Sequence, residues 1–358
     1  MERILKSARF WSAAIVTVAL MSLLLVVVAG CGDSGNGTTT SAKTTAAVGV
    51  AKGKIYVAVT GSGELTAGSG NMGMAIVDLE TKQVEMVNLA GAKAPHGIIP
   101  TPDSKLAPDT AGRVTTEPPK GMLMGNAEDG AVLTVDLATK KVTKTAMPPA
   151  GAKLAICGMY QGPDGKIYLA SMGDGNVYPY DADTNTIGAA MPNQAGTTSI
   201  CGITWSKDGK FAYLVNMFNP KNSAEAGYVA KIEWPSGKMV SKIDNVTQPS
   251  PTGAPLSHQS QVTPDYKWLY VTDGVDGSIV KINLGTETVE KRVPVGKEPH
   301  SVIFSSDGKT GYIAVRHEPD ENQSSVFVYD VATDTVKDRI PGIKAPLVCG
   351  LALEEVLQ

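Results

Sequence analysis

The chain has 358 residues, a formal net charge of −3, 42% hydrophobic but only 6% aromatic residues, 38 Gly and 22 Pro. That balance describes a globular chain rich in turns and excludes a collagen, a coiled coil and a wholly disordered chain. The lack of a basic excess excludes a nucleic-acid binder, and no succession of long apolar segments suggests a polytopic membrane protein.

Residues 1–30 read as a signal peptide. Arg3, Lys6 and Arg9 give a cationic start, an apolar stretch runs from Ala13 to Val28, and small residues stand directly before Cys31. Val28-Ala29-Gly30-Cys31 resembles the lipobox of a bacterial lipoprotein. That resemblance implies lipid modification of Cys31, a membrane anchor, and a body facing the periplasm or the cell exterior. The alternative is an uncleaved signal anchor with Cys31 an incidental thiol. Residues 31–52 continue as Gly, Ser, Thr and Ala with almost no bulky side chain, a flexible linker.

From residue 53 to 358 the dominant signal is repetition. A strand-like run ending in Asp, with Thr three residues on, recurs at Met74 to Thr81, Val132 to Thr139, Val177 to Thr184 and Val326 to Thr333; Ile279 to Thr286 carries Asn instead, and Val229 to Ser236 is a looser copy. Upstream, turns such as Pro163-Asp-Gly-Lys166 and Ser306-Asp-Gly-Lys309 separate pairs of β-branched and aromatic runs. Each unit therefore contains four short strands. Units begin near residues 96, 156, 200, 257, 300 and 348, at spacings of 43 to 60 residues. This is the period of a β-propeller blade, so the expectation is an all-β propeller of six four-stranded blades. The chain enters at Lys54 on a second strand and leaves through Cys349 on a first strand, so its two ends complete one blade. Extra sequence at 104–120 and 217–227 leaves room for a seventh, degenerate blade.

Tyr270-Val-Thr-Asp273, Tyr213-Leu-Val-Asn216, and the His96 and His300 triplets Pro-His-Gly and Pro-His-Ser resemble bacterial β-propeller repeats of the Tyr-Val-Thr-Asn type, over essentially residues 53–358. Many members of that family have seven blades, where the count here is six. The resemblance implies a fold and leaves the chemistry open.

Aligning the six first strands places His96, Cys157, Cys201, His258, His300 and Cys349 in one column. Apart from Cys31 and His317, every Cys and His of the chain falls there. In a propeller the first strands line the central channel, so equivalent positions form a ring near one mouth. Thiolate and neutral imidazole select copper, zinc or iron over magnesium or calcium. The ring is therefore read as a soft-metal site, copper favoured over zinc or iron, or as the seat of a metallocofactor, for redox chemistry or metal handling. His317, Met172 and Met217 lie near the same face as auxiliary candidates. Two other readings stay open for the ring: packing between blades, and a disulfide between Cys157 and Cys201 on adjacent blades.

The sequence has no Cys-X-X-Cys-His, so covalent haem of the c type is excluded. Long connections at 61–73, 217–227 and 317–325 stand on the same face and offer a surface for a small molecule or a protein. Two alternatives to metal chemistry follow: a non-enzymatic scaffold binding a protein or cell-envelope ligand through these loops, and a lactonase-like or lyase-like enzyme of similar fold. Whether the protein is an enzyme is left open.

Overall fold

A computed structural model describes residues 52–61, 73–217, 225–249 and 257–356. The expected signal peptide 1–30, Cys31 and the linker up to residue 51 lie outside them, as do most of the 61–73 and 217–227 connections.

The described residues form six antiparallel four-stranded blades; in five the first strand is at an edge, and in the sixth the short strand Val114–Thr115 adds in parallel beside it. Blade 1 joins Leu347–Glu355 to Gly53–Thr60, Gly73–Asp78 and Val84–Asn88. Blades 2 to 6 begin with Pro95–Pro100, Ile156–Gln161, Ile200–Trp205, Ser257–Val262 and Glu298–Phe304 and take their remaining strands in chain order. Each first strand touches the next, and the last touches the first, so the six enclose a central channel. Ring closure comes from the chain ends. Gly53 pairs with Glu355 and Thr60 with Leu347, which covers edges that would otherwise be open to intermolecular pairing.

The core is not central. Among the described residues it divides into six larger apolar clusters, each shared by two neighbouring blades, such as Tyr213, Val215 and Val229 of blade 4 against Leu269, Val271 and Val280 of blade 5, and a small one around Cys157 and Cys201. The repeated Asp-X-X-Thr has a local cause. In blade 2 the Asp136 carboxylate accepts hydrogen bonds from the Thr139 amide at 2.7 Å and its hydroxyl at 2.6 Å, which closes the turn into the fourth strand. Asp78 and Asp330 repeat the pair, and Asn283 supplies the amide contact alone. Fourth strands carry charge outward, as in Lys141–Ala146 and Thr288–Pro294, and so blunt the outer edges.

The extra sequence at 104–120 is not a seventh blade. Val114 and Thr115 pair in parallel with Leu353 and Glu354, on the channel side of blade 1. Two paired residues cannot build a sheet, and this segment instead inserts Arg113 among the first strands. The guanidinium is buried and donates to Leu351 O, Gln261 Oε1, Ser301 Oγ and Val302 O, acceptors from blades 5, 6 and 1. Arg113 thus bars the channel below the ring.

Candidate metal centre

Each first strand carries a β-bulge at the Cys/His column. Pro95 pairs with Asn126 and Gly97 with Gly125, leaving His96 as the extra residue; Cys157, Cys201 and His300 are left over in the same way. In blades 5 and 1 the extra residue falls within His258–Gln259 and Cys349–Gly350. A bulge breaks the alternation of side chains and re-aims one of them. Six bulges at one level turn six donors toward a shared space.

The residue after the column sets the width of the channel. At Gly350 a β-carbon would lie 2.6 Å from His96 O, and at Gly158 2.3 Å from Cys201 O, so only glycine allows the neighbouring strands to come this close. Gln259 stands at this position in blade 5 and fills the space. Its Nε2 donates to Cys157 O at 2.8 Å, across the channel, and its Oε1 accepts from Ser301 Oγ at 2.8 Å. The backbone under the ring is thereby fixed from below.

Within the ring the donors gather in two trios. The ligating atoms of His96, His300 and Cys349 all lie within 4.8 Å of one another, as do those of Cys157, Cys201 and His258. His258 and His300 join the trios, with stacked rings 3.7 Å apart. All six residues are buried. Neither nitrogen of His258 or of His300 makes a well-formed hydrogen bond, although the Cys349 backbone lies near the His300 ring. Burial holds both imidazoles well below their ordinary pKa, helped by the nearby Arg316 charge, so they are neutral. Such unpaired buried atoms are costly unless something binds them, about 1 to 3 kcal/mol each. The His96 ring is 3.1 Å from Ala94 O through Nδ1. A carbonyl only accepts, so Nδ1 carries a proton there, which leaves Nε2 for the neighbouring Cys349.

Burial pushes the Cys349 thiol up, but His96 and Arg316 outweigh it and bring the group down to about 7. Arg316 donates to Cys349 Sγ at 3.2 Å and to Val348 O at 2.9 Å, and pairs with Glu298 at 2.8 Å. The second Glu298 oxygen lies 3.5 Å from His317 Nε2. His317 therefore stands outside the ring, linked to Cys349 through Glu298 and Arg316, and does not join either trio.

Cys157 and Cys201 form a disulfide across blades 3 and 4, with α-carbons 4.8 Å apart. In this state neither sulfur is a thiolate, and Cys349 is the free thiol among the described residues. Met217, buried, and Met172, partly buried, pack on the disulfide. The donor set of the first trio, two imidazoles and a thiol readily deprotonated, fits a soft transition ion, and a carboxylate is lacking at all six ring positions, which a calcium site needs.

Three residues that hold the ring escaped the sequence reading. Arg113 sits in an insertion outside the repeat, and Gln259 and Ser301 look like ordinary strand residues. Arg316 had a signal: second strands end in the buried polar series Thr60, Asn126, Ser171, Asn216, Asp273 and Arg316, in which it is the one cation.

No known protein-family model matches the chain. Antigen Lp49 of Leptospira interrogans is 27% identical over 146 residues, which is 38% of this chain and 30% of that protein. The chain thus spans about a third of the length of that relative. Among solved structures, a protein of unknown function from Bacteroides caccae has a TM-score of 0.58 at 13% identity, covering 84% of this chain and 98% of that one. TolB from Acinetobacter baumannii has a TM-score of 0.54 at 16% identity, covering 86% and 68%. At these identities the likeness is one of fold.

Proposed function

We propose that this protein is an exported, lipid-anchored propeller that binds a soft transition-metal ion, copper in preference to zinc or iron, at the hub of its blades. His96, His300 and Cys349 are the ligands, with His258 stacked beside them. The observation that carries this reading is the pair of buried, neutral imidazoles without well-formed hydrogen bonds, next to a thiol brought down to about 7. A buried histidine is ordinarily hydrogen-bonded; Thr204, Ser260 and Tyr270 are also buried without a well-formed partner, so what distinguishes the hub is the grouping of its imidazoles with a thiol. Bound there, the metal would supply a one-electron couple or a storage site. The chain does the rest. Ala94 O fixes the His96 tautomer, Arg316 favours the thiolate, and Arg113 bars entry from below, so that ion and reactant reach the ring from the top face.

Copper is favoured because soft sulfur and imidazole stand together without a carboxylate, and because a disulfide beside them belongs in an oxidising compartment. The leader and Cys31 supply that compartment and the membrane anchor in this reading. Elemental analysis of protein purified without chelator is expected to give copper near one per chain, lost in Cys349→Ser and in His96→Gln. Metal-free protein with unchanged thermal stability on adding copper would remove the proposal.

A second reading, a scaffold that binds a protein or envelope ligand through the top loops, is favoured by one observation. A relative described as an antigen, Lp49, shares part of the chain. It expects ligand capture that survives Cys349→Ser.

A further inference from the structure

Cys157, Cys201 and His258 form a closed set of their own. Both sulfurs are buried, His258 is buried with both nitrogens unpartnered, and the three ligating atoms lie within 4.8 Å of one another. A disulfide that only stapled blades 3 and 4 would need no imidazole against it, and the apolar cluster of Tyr160, Tyr168, Ile200 and Ile203 already packs those blades together. Two further soft groups, the thioethers of Met172 and Met217, lie on the sulfur pair.

We propose that this trio is a second soft-metal site, latent while the disulfide is closed and opened by reduction, so that the hub holds one ion when oxidised and two when reduced. The word second rests on the first-trio reading; the site itself does not. A dithiol reductant breaks the Cys157–Cys201 bond, delivers two electrons and two protons, and leaves as its own disulfide, and two thiols remain. An ion of the Cu(I) class then displaces both thiol protons to solvent and takes the two thiolates together with a lone pair of His258. Met172 and Met217 are placed to complete the shell or to keep water from it.

Silver(I) tests this, because it uses the donors of Cu(I) without changing oxidation state. The full-length protein is compared as purified in air and after anaerobic treatment with dithiothreitol and removal of the reductant. Unfolded-state thiol counting is expected to rise by two on reduction. Retained silver is expected to rise from one to two per chain. In Cys349→Ser it should rise from none to one, and in Cys157→Ser/Cys201→Ser it should stay at one in both states. His258→Phe keeps every cysteine and is expected to weaken only the second equivalent, by roughly tenfold or more. A rise from none to one in the wild type would sink the first-trio reading and leave this one standing. One equivalent in both states, two in both states, or a thiol count that never rises by two in the folded protein would overturn it.

Discussion

Two buried polar tiers occupy the same channel on the same six strands. In the lower one all three guanidinium nitrogens of Arg113 donate, and the Gln259 amide meets backbone and side-chain partners at both ends. In the upper one His258 and His300, equally buried, make no well-formed hydrogen bond. The contrast separates two reasons for placing polarity in a core. The matched groups of Arg113 and Gln259 tie blades together and need nothing from outside, whereas imidazoles without well-formed partners are what the proposed ion would use.

Each tier can be broken separately, and the largest effect is expected below. Arg113→Met strips partners from Leu351 O, Gln261 and Ser301 and should cost about 3 to 5 kcal/mol in denaturant unfolding. A loss under about 1 kcal/mol would show that the plug is not structural. His300→Leu should do the reverse. It removes a proposed ligand and no well-formed hydrogen bond, so metal affinity should fall at least about 100-fold while metal-free stability shifts by less than about 1 kcal/mol. An equal loss of stability would place His300 with the matched tier.

Acid sharpens the same contrast in metal-free protein. His258 and His300 have depressed folded pKa values, so below about 6.5 the unfolded chain binds protons that the folded chain refuses. Their contribution is present above the unfolded pKa and is lost as pH falls. Unfolding free energy should decline by up to about 1.4 kcal/mol per pH unit for each histidine between pH 6.5 and 5. In His258→Phe/His300→Leu that part of the slope should vanish; an unchanged slope would assign it to other groups. The smallest effect is expected from Glu298→Gln, which loosens Arg316 against Cys349 and should change metal affinity by about tenfold or less. A loss as large as that of His300→Leu would move Glu298 into the ligand set.

The blades and the donor column were legible because both recur. Asp136 and Thr139 mark the same turn as Asp78 and Thr81, and Cys157, Cys201 and His300 hold equivalent places in three of the units. What gathers the donors recurs only in part in the letters, as the glycine after the column, Gly97, Gly158, Gly202 and Gly350, in four units of six. The bulge at His96 is a matter of pairing between Pro95–Gly97 and Asn126, and it has no composition of its own. Arg113 acts from an insertion whose surplus residues suggested another blade, and the split into two trios follows from side-chain directions that a linear spacing cannot express. The disulfide was one of three readings of Cys157 and Cys201 because adjacency of blades limits a separation without setting it; the 4.8 Å between α-carbons is a property of the narrow, glycine-lined channel.

X-ray absorption at the copper edge tests the central claim most directly, on protein purified in air, loaded with copper and dialysed against a competing chelator. One sulfur and at least two imidazole nitrogens at about 2.0 to 2.3 Å from the metal are expected, with the sulfur replaced by a lighter scatterer in Cys349→Ser. Copper that washes out, or that shows only oxygen and nitrogen neighbours unaffected by Cys349→Ser, would contradict it.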